Sequence, residues 1–346
     1  MQPEHLYIHI PFCKQKCAYC DFVRFTKCES LIPDYINKIA LEIKAKVKSK
    51  LKSIYIGGGT PNYLDDLQLS KLLSSLQKYR NNQTEFTIEC NPEFINAQQV
   101  KLFKKFNVNR VSIGAQCINN TILKKYGRKH TITDIERAIT LLQTNGICNI
   151  SLDFIYGFNE LRDIDIKKNI DFVVKNKVKH VSFYALEIKP GSLLKTKNYM
   201  INENKIDKQL CLIIKTLAAH NYIRYEVSNW CIDEKYESVH NKAYWLSNEW
   251  IGIGLGAHGF ENGRIYKNVG TVKTWNKIEE DYNLQDYYFQ IIMMGLRLQK
   301  GLDLRIERNK KAYMFFCDKL KNTTVKNNFL VCNDINLLDS TLIELV

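Results

Sequence analysis

Short runs rich in Val, Ile, Tyr and Phe recur at Leu6–Ile10, Ser53–Ile56, Glu85–Cys90, Arg110–Ala115, Asn149–Ile155 and His180–Leu186. Each has the length and composition of a strand. Amphipathic stretches separate them. Tyr35–Lys50 sets Ile36, Ile39, Ile43 and Val47 three or four residues apart, the spacing of one helix face. Asp65–Tyr79, Ala97–Phe106, Asp134–Asn145, Ile164–Lys175 and Asn204–His220 repeat that pattern. Six strand–helix units in succession predict a parallel sheet covered by helices. Six are too few for a closed eight-stranded barrel, so the expected fold is α/β, a partial (β/α)6 barrel over residues 1–221.

The rhythm stops near residue 222, where Tyr, Trp and Gly become frequent. Residues 222–301 read as a second region, with a helix over Asp286–Gln299 that aligns Tyr288, Ile291, Ile292, Gly295 and Leu298. Residues 302–346 are rich in Lys and Asn and predict a small C-terminal α/β appendage of helical or winged-helix type.

The chemically distinctive residues cluster at the strand ends. Cys13, Cys17 and Cys20 follow the first strand, Gly57–Gly58–Gly59–Thr60–Pro61 follows the second, and Glu89–Cys90–Asn91–Pro92 ends the third. Gly114–Ala115–Gln116 ends the fourth strand, Asp153 lies in the fifth before Tyr156–Gly157, and Glu187 follows the sixth. The carboxyl ends of parallel strands share one face, so these motifs are expected to line one mouth.

Composition narrows the class. The chain has 346 residues, of which 45% are hydrophobic, enough for a sizeable core. No apolar run approaches the roughly 18 residues that span a bilayer, and the polar start leads straight into the cysteine motif, so a cytoplasmic protein is expected. The 11 cysteines are odd in number and irregularly spaced, unlike a secreted disulfide framework. The net charge of +14 comes from lysines spread along the chain, without a block of basic residues. It predicts no nucleic-acid partner, but leaves acidic partners or lipid headgroups favoured.

Cys13-x-x-x-Cys17-x-x-Cys20 offers three soft thiolates, which suit iron–sulfur or zinc. A closed zinc site needs a fourth ligand; Asp21 and His9 are the nearby choices, and no second Cys-x-x-Cys follows. A cubane held by three cysteines instead leaves one iron free to chelate a small molecule. The triple glycine lets backbone approach a ligand closely, and no Lys-Ser/Thr follows to make it a nucleotide P-loop. Gly254-x-Gly256-x-x-Gly259 matches a dinucleotide fingerprint, but lies away from the strand–helix units and reads as a tight turn.

The cysteine spacing, with Tyr19 before the last cysteine, resembles the radical SAM motif. The resemblance implies a [4Fe–4S] cluster on Cys13, Cys17 and Cys20, with S-adenosylmethionine on its open iron. It further implies one-electron cleavage of the sulfonium to a 5′-deoxyadenosyl radical, with an electron donor such as flavodoxin or ferredoxin.

The match narrows over residues 5–302. Tyr7–Ile8–His9–Ile10–Pro11–Phe12–Cys13, Arg110-x-Ser112-x-Gly114-x-Gln116, Gly127–Arg128-x-His130 and Asp153–Phe154–Ile155–Tyr156–Gly157 resemble the oxygen-independent coproporphyrinogen III oxidase superfamily. Carried over by that resemblance, Tyr7, Tyr19, Gly58, Gly59, Thr60, Glu89, Gln116, Arg128, Asp153 and Ala185 are expected to contact S-adenosylmethionine. Gln116, Arg128 and Asp153 match positions that serve a second such molecule in the oxidase.

Two branches differ at two places. The oxidase has a further cysteine two residues past the third cluster cysteine, where this chain has Phe22. The HemW-like heme chaperones carry an HNxxYW motif, which His240–Asn241–Lys242–Ala243–Tyr244–Trp245 matches. The resemblance thus implies heme as cargo, and a recipient such as a respiratory cytochrome, which would bring the protein to the membrane periphery. His240 is the candidate heme ligand, with His258 a second choice. Read from the residues alone, His240 is rather a hydrogen-bonded histidine among core aromatics, and the resemblance brings the heme reading level with it. The rival activity is radical decarboxylation of coproporphyrinogen III.

Overall fold

The computed structural model describes residues 2–345. Strands β1 (His5–Ile10), β2 (Ser53–Gly58), β3 (Glu85–Cys90), β4 (Arg110–Gln116), β5 (Asn149–Tyr156) and β6 (His180–Ala185) are parallel neighbours in that order. Helices α1 (Ile32–Lys46), α2 (Asp66–Leu76), α3 (Ala97–Lys105), α4 (Asn120–Lys125), α5 (Ile132–Thr144), α6 (Asp163–Lys175), α7 (Leu193–Thr196) and α8 (Glu203–Ala219) follow or connect them. The helix starts are set by local chemistry. Asp65 accepts from the Gln68 amide at 2.8 Å while the Gln68 side chain returns a bond to Asp65, and Thr131 with Asp134 repeats this reciprocal cap on α5.

The sheet is larger than six strands. β7 (Ile223–Glu226) and β8 (Asn229–Cys231) add antiparallel beyond β6. After α9 (Val239–Trp245), β9 (Trp250–Ile253) returns to pair in parallel with β1, His5 opposite Trp250 and Ile8 opposite Ile253. β10 (His258–Glu261), β11 (Arg264–Gly270) and β12 (Trp275–Glu279) continue that side antiparallel. The resulting 12-stranded sheet stays open, with β12 and β7 as its edges. The six expected strands are β1–β6, and β9 extends their parallel run to seven; the strands after residue 222 escaped sequence reading because they are short and rich in Gly and Trp.

A separate core follows. α10 (Leu284–Gly295), β13 (Leu302–Asp303), α11 (Glu307–Phe316), β14 (Thr323–Lys326), β15 (Phe329–Cys332) and α12 (Leu338–Ile343) form an α/β appendage with its own three-stranded sheet. Ile291, Ile292, Leu302, Phe316, Leu330 and Leu342 fill it.

Within the main sheet the strands alternate sharply. Leu6, Ile8 and Ile10 of β1, Ile54 and Ile56 of β2, Phe86 and Ile88 of β3 and Val111 and Ile113 of β4 are buried in the large apolar core. The intervening positions are polar: His5, Tyr7 and His9; Ser53 and Tyr55; Glu85, Thr87 and Glu89; Arg110 and Ser112. Side chains on one strand face point the same way every second residue, so the concave side of the sheet is a polar channel. Its two ends differ, and the difference locates the site.

Candidate functional site

At the carboxyl ends of the strands lies a cavity of ≈ 380 Å³. Cys13, Cys17, Tyr19, Cys20, Gly58, Gly59, Thr60, Glu89, Gln116, Arg128, Asp153 and Ala185 all line it. The structure thus brings together, from six strand ends, twelve of the residues singled out in the sequence. Tyr7 and His240 lie elsewhere.

The cysteine loop is pinned from outside. Cys13 N donates to Phe25 O at 2.9 Å, Ala18 N to Tyr126 O at 3.0 Å, and Gln15 Nε2 to Gly127 O at 2.6 Å. A Cβ at Gly127 would stand 3.0 Å from Lys16 O, so the loop rests directly on that turn. All 11 cysteines are free thiols, and burial pushes the Cys13 thiol up, with the Thr60 hydroxyl at 3.4 Å pulling the other way. Burial lifts Cys20 to about 11 against the pull of Arg24. The Cys13 and Cys20 thiols resist ionisation on their own and would release their protons on meeting a metal. Among the described residues no three His, Cys, Asp or Glu groups converge as the ligands of a single ion do. Three thiols spread around a cavity suit a multi-iron cluster better than one tetrahedral zinc.

The glycines also serve the fold. Gly58 has φ +111°, and an added Cβ would meet the His9 ring at 2.6 Å. At Gly59 it would meet Phe12 O at 2.8 Å and Cys13 Sγ at 3.0 Å. At Gly57 it would strike the Glu89 carboxylate at 2.8 Å. The missing side chains make room first for the protein's own groups, which sets the cysteine loop against the second strand.

Glu89 accepts from Tyr55 Oη at 2.8 Å and from Gly58 N at 3.0 Å. Burial outweighs those donors and, with the nearby Asp153 charge, lifts its carboxyl to about 7. Asp153 is raised by burial too, but three hydroxyls support its charge, two from adjacent strands and one from its own: Ser112 at 2.7 Å, Ser182 at 2.9 Å and Ser151 at 3.1 Å. Arg128 braces three segments, donating to Asn91 Oδ1 at 2.7 Å, Gly114 O at 2.9 Å and Cys17 Sγ at 3.7 Å. Gln116, at φ +65° on a bulge after Gly114, turns back toward that cluster. Tyr55, Ser112 and Ser182 were not singled out by sequence reasoning as site residues. The signal that could have found them is the alternation of polar and apolar residues within each strand.

At the other end the same residue types are saturated. His240 is 1% exposed. Its Nδ1 lies 2.7 Å from Ser53 Oγ and its Nε2 2.7 Å from Tyr244 Oη, while its ring stacks on Tyr55 with centroids 4.9 Å apart. Its backbone amide donates to Glu85 Oε1 at 2.9 Å. Burial holds its imidazole neutral, far below the ordinary histidine range. Ser53, His5 and Glu85 begin their strands, so His240 closes the amino end of the channel, opposite the cysteines. The geometry is that of a packed, hydrogen-bonded histidine. Tyr7 sits between the ends, its Oη 3.0 Å from His9 Nδ1. His258 is exposed on β10. Gly254 and Gly256, at φ +93° and +84°, form the turn from β9 to β10 rather than opening a helix.

Comparison with known proteins agrees with this architecture. Residues 7–173 match the radical SAM superfamily. The chain is 32% identical to the heme chaperone HemW of Lactococcus lactis, over 96% of this chain and 92% of that protein. It is 32% identical to heme chaperone HemW of Bacillus subtilis over 77% and 73%, and to that of Escherichia coli over 78% and 74%. Coproporphyrinogen III oxidase from E. coli, a radical SAM enzyme, superposes with a TM-score of 0.83 at 17% identity, over 99% of this chain and 90% of that one, a likeness of fold.

Proposed function

The chain belongs to the heme chaperone HemW family of radical SAM proteins, and we propose that it binds heme and hands it to a recipient protein. Sequence identity extending through nearly the whole length of a named heme chaperone carries this reading. Phe22, where the resemblance would give the oxidase a cysteine, supports it.

Cys13, Cys17 and Cys20 would hold a [4Fe–4S] cluster, and the donor set fits: three thiols on one short loop face one cavity, and the Arg128 guanidinium stands beside Cys17. When bound, such a cluster offers an open iron to the amino and carboxylate groups of S-adenosylmethionine and an electron to its sulfonium. The chain's own groups do the rest. Glu89 and Asp153 present acceptors for ammonium and hydroxyl groups, Tyr19 and Ala185 line the wall, and Phe22 lines the mouth. An electron donor of flavodoxin or ferredoxin type belongs to the same proposal, as does a recipient at the membrane; no helix among the described residues is long and apolar enough to cross one.

The test offers anaerobically reconstituted protein heme and, separately, coproporphyrinogen III. The expected outcome is a Soret band with heme and no protoporphyrinogen. Multiple-turnover decarboxylation would overturn the proposal in favour of the oxidase.

A further inference from the structure

We infer that heme docks across the mouth of the cysteine-lined cavity, its macrocycle against Phe22 and its carboxylates toward Lys14 and Arg24, and not at His240; this rests on the heme-binding reading above. Heme is a flat apolar ring edged by two carboxylates. A surface that takes it needs an aromatic or aliphatic platform beside uncompensated cations.

The amino end of the channel supplies neither. His240 has both ring nitrogens engaged by hydroxyls and no exposed face, so ligating iron there would break two hydrogen bonds and open the buried end of the sheet. The cavity itself is small. At ≈ 380 Å³ it matches one compact cofactor, not a cofactor with a tetrapyrrole besides. Heme that approaches from this side must lie over the rim.

The rim has the required chemistry. Phe22 lines the mouth yet is 61% exposed, a large apolar ring left in solvent at the edge of a site. A lone exposed apolar side chain is common, so the charges beside it decide. Lys14 is exposed and, among the described residues, makes no ion pair. Arg24 donates to Phe22 O at 2.9 Å, which ties the platform to the cation, and its Nε is buried without a partner. Lys189 on the same rim is neutralised by Glu187 at 2.9 Å. Asp21 is the carboxylate next to Phe22; Glu93 lines the cavity beyond it, and Glu29 stands near Lys14 without pairing with it. The unpaired positive charge on this rim therefore sits on the cysteine loop.

The test titrates hemin into the cluster-loaded full chain and follows the Soret band, with iron content as the folding control. Phe22→Ala and Lys14→Glu are expected to weaken heme binding about tenfold each, the Lys14 effect shrinking at high salt. Arg24 is left intact because it also neighbours the Cys13 and Cys20 thiols. His240→Phe, which fills the same space, should leave the affinity within about twofold. Unchanged affinity in both rim variants, or a tenfold loss in His240→Phe with iron content retained, would overturn the inference while leaving the chaperone function standing. A wild-type chain that takes up no heme would overturn both.

Discussion

The two ends of the polar channel are built from the same residue types and do opposite things. At the amino end His5, Ser53, Glu85, His240 and Tyr244 bond to one another and to backbone, in a layer closed by α9. At the carboxyl end Glu89, Asp153 and Arg128 are also bonded, but they face a cavity beside three free thiols. A buried polar group whose partners are complete contributes stability, whereas one held against open space is poised for a ligand. Histidine, glutamate and tyrosine mark a site only when the structure leaves room beside them.

The strongest way to break this comparison is at the thiols. Replacing Cys13, Cys17 or Cys20 by Ala should take iron from about four per chain to near zero after anaerobic reconstitution. Replacing exposed Cys148 or Cys211 should leave it unchanged. Iron retained in the Cys17 variant would mean that the open end is not a cluster site. Next in size is His240→Ala. Removing a ring bonded on both sides in a closed layer should lower unfolding free energy by about 2–4 kcal/mol in denaturant titrations, with iron content preserved. Loss of iron without loss of stability would reverse the roles assigned to the two ends.

Acid sharpens the contrast. Burial depresses His5 to about 4 and holds His180 and His240 well below the ordinary histidine range, so these groups stay neutral in the fold but take protons once unfolded. Unfolded chain then binds more protons below about pH 6.5, and stability should fall as pH drops from there toward 4, by up to about 1.4 kcal/mol per unit for each histidine. Glu89 has the opposite sign. Its carboxyl is raised to about 7, so the folded state holds its proton longer than the unfolded state, and this group's contribution shrinks as pH rises through about 4.5 to 7. The smallest effect follows. If ionised Glu89 accepts from the cofactor, affinity for S-adenosylmethionine should fall at most about tenfold per unit below pH 7. Glu89→Gln should remove the part of that slope that belongs to the carboxyl, as calorimetric titration across pH would show.

The open end was more legible in the sequence than the closed one. Cysteines at fixed spacing, a triple glycine and carboxylates at strand ends are local signals, and parallel topology alone gathers them on one face. His240 gave no such cue. Its neighbours Ser53, Glu85 and Tyr55 lie far away in the chain, and only the registers of β1, β2 and β3 set them beneath it. The period-two polar positions of those strands did announce a wet inner face, but a reading based on Val, Ile, Tyr and Phe content passes over them. β9 was illegible for another reason: four residues, Trp250–Ile253, pair with a strand at the far end of the sequence.

That pairing has a consequence for assembly during synthesis. β1 gains β2 as a neighbour about 50 residues later in the chain, but its other edge stays bare until Trp250–Ile253 emerge. Contacts this distant in sequence form late. The turn that follows β9 then wedges beneath the cysteine loop: a Cβ on Gly254 would lie 2.7 Å from His9 O, and one on Gly256 2.8 Å from Val23. Those contacts complete the packing under the loop only when a distant part of the chain arrives, so cluster loading is expected to wait for it. A nascent chain stalled before Trp250 is expected to emerge colourless from an iron-rich, oxygen-free translation mixture.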